Sequence, residues 1–380
     1  MKKVDLSKRS AQKLLTKRPP WLYRNELPET LYTEPGEVAA LVHQGEFLAT
    51  AFVNAHSTLA ARVLSFRDEP VDREFFRRRI ERAVAGRKGI ESNAVRLVHS
   101  EADGLPGLIA DRYGDNLILS FTTAGMDRFK EEITAIFLEL LSPKGIWEKG
   151  DRIRLKEGLD ALDRLLWGEV DERFLIEEGN RRFETDLKAS QKTGFFLDQR
   201  RNRRVVGRYG GQKTLDLFAN AGGFGIYAEV GFTKFVEISE LACAQIATNC
   251  RLNGLQNYEI VRADVFRFLE SERERYDLIV LDPPAFAKSK KARGGALKGW
   301  KYLLVKSLAL LEEGGHLGVF SCSHAVGLND LLELSRSAAL VEGCRLEVVE
   351  TMKQDVDHPW TLEVPNSLYL TGALLRKSPW

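Results

Sequence analysis

Hydrophobic and polar positions along this chain follow two different rhythms. Up to about residue 70, Val38–Val42, Phe47–Val53 and Ala60–Phe66 are short apolar runs, split by His43-Gln44-Gly45 and Asn54-Ala55-His56-Ser57. Runs of this length and spacing, after one short helix, predict a small β-barrel or sandwich. Pro19-Pro20 and Pro35-Gly36 punctuate it. Asp72 then caps a helix with an apolar stripe at Phe76, Ile80 and Ala83 and a stop at Gly86. Its other face carries Arg73, Arg77, Arg78 and Arg82, either a solvated face or a phosphate contact. Strands follow at Val95–His99, Leu108–Tyr113 and Leu117–Phe121, then a helix from about Met126 to Leu141 and a hairpin around Gly179-Asn180.

From Leu187 the rhythm changes. Thr214–Phe218, Lys234–Ser239, Tyr258–Ala263, Leu278–Leu281 and Leu317–Ser321 are compact apolar runs, with helical stretches such as Leu241–Leu252, Val265–Arg273 and Trp300–Leu311 between them. That alternation predicts a parallel sheet with helices on both faces, closed by an antiparallel pair from Leu346–Thr351 and Leu368–Leu375. The expected fold class is therefore α/β in this half, after an N-terminal β-barrel and a central α+β region. The boundaries fall at 1–70, 71–187 and 188–380.

Length and composition narrow the class. A chain of 380 residues exceeds one ordinary core, and 44% hydrophobic with 29% charged residues is typical of a globular protein. No apolar run reaches the roughly 18–20 residues of a membrane span, and the polar start gives no signal peptide, so a cytoplasmic location is expected. Cys243, Cys250, Cys322 and Cys344 form neither a C-x-x-C pair nor a cluster with histidine, which points to reduced thiols and no metal site. The net charge of +2 hides an asymmetry: residues 1–90 carry 17 Lys/Arg against 11 Asp/Glu, the remainder 39 against 43. A basic front end suits a polyanionic partner, or is only a solvated face.

The chemistry gathers in the second half. Asp216-Leu-Phe-Ala-Asn-Ala-Gly222-Gly223-Phe224-Gly225 places glycines where a strand turns into a helix, so backbone N–H groups can approach a ligand. Glu237, Asp264 and Asp282 follow the next three strands, and in a doubly wound sheet these ends line one crevice. An acid after the second strand can hold ribose hydroxyls; one after the third can accept from an adenine amine. Singly, such acids are helix caps. An NAD site wants G-x-G-x-x-G, but Asn220 holds the first glycine position, so S-adenosylmethionine is the better match. Asp282-Pro283-Pro284-Ala285-Phe286 is the kind of loop that grips an exocyclic amine of a planar base. Cys322, in Ser321-Cys322-Ser323-His324, adds a nucleophile: a thiolate adding to carbon 6 of a pyrimidine activates carbon 5. Asp282 would share a proton with ring nitrogen 3, which requires a raised pKa. The plain reading of Cys322 is a small buried residue at a strand end.

Lys192-Thr193-Gly194-Phe195-Phe196-Leu197-Asp198-Gln199-Arg200-Arg201-Asn202-Arg203 resembles the signature of bacterial large-subunit (23S) rRNA cytosine-C5 methyltransferases. The resemblance continues through Asp216–Phe224, Asp282–Lys288, Ser321–His324 and Asp357-His358-Pro359, and upstream through Pro20–Glu26 and Glu101–Gly114. It implies an N-terminal PUA domain, a central α+β domain and a Rossmann-like class I methyltransferase domain using S-adenosylmethionine, with Cys322 as the one catalytic cysteine and Asp282 beside it. Cofactor contacts are expected from Lys192, Phe196, Asp198, Arg200, Asp216, Phe218, Gly222, Gly223, Phe224, Glu237, Asp264 and Asp282. Asp198 and Arg200 could equally be a structural ion pair, and His358 a base-pocket residue or a structural histidine. Glu237 stands where relatives carry Asp; Ala55 and Pro19-Pro20 depart from the usual N-terminal pattern. The implied partner is large-subunit rRNA, with no membrane or metal and a homodimer left open. The rivals are a guanine-N7 methyltransferase of the same fold, which needs no nucleophile, and a non-catalytic RNA-assembly protein with a vestigial pocket.

Overall fold

The first 66 residues gather their strands into one five-stranded sheet in a computed structural model that describes residues 1–31, 33–187, 195–228, 231–286 and 293–380. Strands β1 (Lys2–Asp5), β2 (Trp21–Leu22), β3 (Glu37–His43), β4 (Glu46–Val53) and β5 (Ala61–Ser65) lie in the order β1-β3-β4-β5-β2. Gln44 and Gly45 turn the β3–β4 hairpin with φ of 53° and 88°, the pair of positive angles that matches strand twist in a two-residue turn. The short β1, parallel to β3, has no readable periodicity because only Val4 is buried in it. Helix α1 (Lys8–Lys17) is capped by Ser7, whose Oγ accepts from Ser10 N. It buries Ser10, Ala11 and Leu14 and leaves Lys8, Arg9 and Lys17 exposed.

Asp72 caps helix α2 (Arg73–Ala85), its Oδ1 accepting from Phe75 N at 3.0 Å. The arginine face of α2 is ion-paired: Arg73 and Arg77 meet Glu139 at 2.6 Å each, and Arg78 meets Glu69 at 3.0 Å. Those three guanidinium groups are already neutralised locally, which favours the solvated face over a phosphate contact. Strands β6 (Ala94–His99), β7 (Leu108–Tyr113), β8 (Asn116–Phe121), β9 (Gly145–Glu148) and β10 (Arg164–Gly168) form a second sheet, ordered β10-β9-β8-β7-β6. The single helix expected over Met126–Leu141 is two, α3 (Ala124–Arg128) and α4 (Lys130–Leu141). They break at Phe129, whose ring packs 4.7 Å from Phe76 and 6.0 Å from Phe52; tertiary packing overrides helix continuity there.

Residues Met1–Phe174 and Val356–Ser367 belong to one compact unit, and Leu175–Thr185, Phe195–Asp355 and Leu368–Trp380 to another. In the first unit Asp357 accepts from Arg96 N at 3.1 Å and meets His358 Nδ1 at 2.8 Å. The buried His358 ring packs against His99, centroids 5.1 Å apart. It is a satisfied structural histidine of this unit.

The second unit contains most of the hairpin β11 (Arg173–Glu178) and β12 (Arg181–Asp186), turned at Gly179, and a seven-stranded sheet. The strands are β13 (Lys213–Leu217), β14 (Phe232–Glu237), β15 (Tyr258–Arg262), β16 (Tyr276–Leu281), β17 (Leu311–Ser321), β18 (Arg345–Lys353) and β19 (Thr371–Ser378), in the order β15-β14-β13-β16-β17-β19-β18. β13 to β17 run parallel, while β19 is antiparallel to both β17 and β18. Along β16, Ile279 and Leu281 join one core with Trp300, Leu303 and Leu304; Leu278 and Val280 join the opposite core with Val206, Phe224 and Phe320. A strand buried on both faces reads as a continuous apolar run, which is why these strands were conspicuous in the sequence. The helices are α5 (Arg200–Gly207), α6 (Gly223–Tyr227), α7 (Glu240–Leu252), α8 (Val265–Ser271), α9 (Arg293–Leu310) and α10 (Leu328–Glu342).

Candidate active site

Strand order reverses direction between β13 and β16, and in open α/β sheets ligands bind at the carboxyl ends beside such a switch point. Leu217 pairs with Leu281, and Leu281 with Val319. Phe218, Asp282 and Cys322 therefore leave three adjacent strands at the same edge, strands being about 4.8 Å apart.

The turn after β13 is held under strain. Phe218 and Asn220 have φ of 60° and 49°, and Gly222 follows at 77°. An aromatic residue in the left-handed region costs about 1–3 kcal/mol, a cost sustained where surroundings impose it. Three anchors do so: Asp216 Oδ2 accepts from Gly225 N at 2.8 Å, Glu237 Oε2 from Asn220 N at 2.9 Å, and the Ala221 carbonyl from Asn249 at 2.9 Å. The glycines serve packing as much as ligand approach. A Cβ on Gly225 would stand 2.3 Å from the Phe235 ring, so only glycine lets α6 sit on β14. With five residues, α6 has a small dipole.

Each acid has a distinct environment. Asp216 is fully buried, and its carboxyl is pushed up to about 8, by burial first and then by the charges of Asp282 and Glu237. Glu237 is half-buried and also accepts from Ile238 N and Ser239 N, both at 2.9 Å. Asp264 caps α8, its Oδ1 accepting from Arg267 N at 3.1 Å, so the helix-cap reading of this acid is realised with one oxygen. Asp282 Oδ2 accepts from Gln199 Nε2 at 3.0 Å. Phe218 meets Phe286 edge to face at 6.3 Å, and Phe286 packs on Trp300. A crevice lined by negative groups fits a ligand that carries a sulfonium cation and an adenosyl moiety.

Ser321 and Ser323 are buried, and Ser321 Oγ donates to the Val326 carbonyl at 2.9 Å. Ser323 Oγ accepts from Ala325 N at 3.2 Å. Pinned between them, Cys322 is exposed, which removes the reading of it as a buried filler. Cys250 and Cys344 are buried and Cys243 is partly so. Burial pushes all three thiols up, Cys250 to about 12, which leaves them inert at neutral pH.

From Phe195 onward, the signature segment is fastened inside the second unit. Phe195 stacks on Phe183 at 4.9 Å and lies under the Arg203 guanidinium at 4.5 Å. Arg203 forms a fork on the buried Glu178, at 3.0 and 2.5 Å. Arg200 is buried against Asp355 at 2.9 Å, and Asp198 accepts from Tyr369 OH at 2.6 Å. Phe196 is the exposed aromatic here, its carbonyl accepting from Arg203 at 2.8 Å. Lys192, with Thr193 and Gly194, lies outside the described residues, as do Ala287 and Lys288. Sequence reasoning assigned no role to Gln199, Glu178 or Asp355. Gln199 stood inside the signature; the other two carry no local pattern and become visible only through their arginine and amide partners.

This fold with this crevice defines an S-adenosylmethionine-dependent methyltransferase carrying an appended β domain. The family of that description, S-adenosylmethionine-dependent methyltransferase, matches residues 142–364, and a PUA-like domain matches residues 4–66. Ribosomal RNA large subunit methyltransferase I of Tolumonas auensis is 36% identical over 384 residues, covering 96% of this chain and 97% of that one. Its counterpart from Shewanella amazonensis is 35% identical over 385 residues, with the same coverage. The chain belongs to the ribosomal RNA large subunit methyltransferase I family. In fold it also matches a SAM-dependent methyltransferase structure from Streptococcus mutans, with a TM-score of 0.82 and 23% identity over 99% of this chain and 100% of that one. A methyltransferase structure in complex with SAH gives a TM-score of 0.85 at the same identity and coverage. Among the described residues no helix is long and apolar enough to cross a membrane.

Proposed function

We propose that this protein transfers a methyl group from S-adenosylmethionine to carbon 5 of a cytosine in 23S rRNA, with Cys322 as covalent nucleophile. The observation that carries the reading is the exposed Cys322 leaving the strand next to Asp282 at the crevice edge. A guanine-N7 enzyme has no use for a thiol in that position. When bound, S-adenosylmethionine supplies an electrophilic methyl group.

The Cys322 thiolate adds to carbon 6, forming the S–C6 bond and breaking the 5,6 double bond. The electron pair moves to carbon 5 and toward nitrogen 3, where Asp282 holds a shared proton. After carbon 5 is methylated, its proton leaves to a base, the double bond re-forms and the thiolate is expelled. The residues that would hold the cofactor are Glu237 on the ribose, Asp264 on the adenine amine, and the Phe218–Phe224 turn, together with Phe196 and the Lys192–Arg200 stretch. Asp198 and Arg200 position that stretch through Tyr369 and Asp355. The exposed Lys8, Arg9 and Lys17 of α1 provide a basic surface for the RNA backbone.

The test offers labelled cofactor with 23S rRNA and digests the product to nucleosides. 5-Methylcytidine is the expected product, and 7-methylguanosine would overturn the reading. Cys322→Ala should lower kcat by at least about 10³-fold. Because the side chain is exposed, its stability should stay within about 0.5 kcal/mol of the parent.

A further inference from the structure

We propose that Gln199, locked by Asn202, is a positioning residue that fixes the Asp282 carboxyl group by holding its Oδ2 as an acceptor. The inference rests on the proposed role of Asp282 at the base.

Three hydrogen bonds form a chain with a direction. Asn202 Nδ2 donates to the Lys353 carbonyl at 3.1 Å and to Gln199 Oε1 at 2.6 Å. Gln199 Nε2 then donates to Asp282 Oδ2 at 3.0 Å. A backbone carbonyl has no proton to give, so the Asn202 nitrogen must face Lys353. That nitrogen needs an acceptor on its other side, which turns the Gln199 oxygen toward it and the Gln199 nitrogen toward Asp282. Reversing Gln199 would set two nitrogen donors against each other and an oxygen against a carboxylate. Gln199 is 3% exposed and Asn202 0%, so solvent does not relax the arrangement. The chain starts at the end of β18, passes through α5 and ends at the mouth of β16, tying three elements to one oxygen.

The consequence concerns which proton the site can hold. An N–H on Oδ2 favours the charged carboxylate. Gln199 thus excludes a proton from Oδ2. A glutamine that merely filled space would not act on the charge of Asp282.

The experiment measures kcat and KM against pH for the parent, Gln199→Leu, the near-isosteric Gln199→Glu, Asp282→Asn, and the Gln199→Leu/Asp282→Asn double variant. Cofactor dissociation constants are measured alongside. Gln199→Leu should lower kcat about tenfold to a hundredfold, the range for losing a hydrogen bond to a charged group. KM and cofactor affinity should stay within about threefold. The pH at which activity falls on the alkaline side should move up in both Gln199 variants, and further in Gln199→Glu, where a second carboxylate faces Asp282. In the Asp282→Asn background the additional loss from Gln199→Leu should shrink to less than about threefold. Equal losses in both backgrounds, or an unaltered pH profile and kcat in Gln199→Leu, would overturn the proposal while Asp282→Asn stays crippled. Full activity in Asp282→Asn would remove the role of Asp282 itself, and this proposal with it.

Discussion

In the first unit, buried carboxylates meet arginines: Asp103 lies 2.6 Å from Arg87, Asp111 2.7 Å from Arg96, and Glu148 3.1 Å from Arg154. At the sheet edge of the second unit, Asp216, Glu237 and Asp264 accept only from backbone N–H groups among the described residues. The first arrangement neutralises charge inside the fold and is complete without a ligand. The second leaves negative charge uncompensated, and that charge adds to burial, the larger cause, in raising the Asp216 carboxyl. Paired acids hold structure; acids facing only amide dipoles favour an incoming cation. The same residue types therefore do opposite work, and the presence of a counter-ion separates them.

Breaking a pair in the first unit should have the largest effect. Arg96→Leu strands the Asp111 carboxylate, which is fully buried, and should cost about 3–5 kcal/mol in chemical denaturation. The folded fraction should bind cofactor as the parent does. A variant as stable as the parent would show that these pairs do not carry the fold.

The unpaired edge responds to pH instead. Asp216 titrates near 8 in the folded protein against an ordinary 3.8. A raised carboxyl stabilises the fold below the unfolded value, and that contribution is lost as pH rises through 8. Asp216→Asn should therefore flatten the decline of Tm between pH 5 and pH 8. A cation bound nearby lowers the Asp216 pKa, so cofactor binding releases a proton. Affinity for S-adenosylmethionine should rise with pH up to about 8, by at most about tenfold per pH unit, and that for the uncharged S-adenosylhomocysteine less. Calorimetry in buffers of different ionisation enthalpy checks this; equal pH slopes for both ligands would contradict it.

The smallest effect sharpens a different contrast, between the basic front end and the near-neutral remainder. Replacing Lys8, Arg9 and Lys17 together by Gln should weaken RNA binding and reduce the slope of log affinity against log salt by up to about 2, at roughly 0.7 per phosphate contact. Melting temperature should not move. An unchanged slope would assign the RNA contact to another surface.

Much of this was legible in the chain. Strands β13 to β17 announced themselves because burial on both faces makes them continuously apolar, and the acids at their ends followed from strand spacing alone. The four-residue β1 and β9 were not legible: only Val4 is buried in β1, and β9, buried at three of its four positions, is too short for a period to show. The break at Phe129 was hidden because its cause, contacts with Phe52 and Phe76, is distant in sequence. Arg200 and Asp198 were singled out as cofactor contacts or as a mutual ion pair. The structure supplies partners for them, Asp355 and Tyr369, that lie more than 150 positions away.

By itself, the sequence determined the alternating architecture of the second half, its cofactor chemistry and the placement of Asp282 and Cys322 at strand ends, because these depend on local periodicity and on residue type at strand ends. Tertiary structure alone decided that Cys322 is exposed while Cys250 and Cys344 are buried, that Asp216 holds its proton, and that Gln199 faces Asp282. Exposure, desolvation and amide orientation depend on what surrounds a side chain, and those surroundings are assembled from segments far apart in the chain.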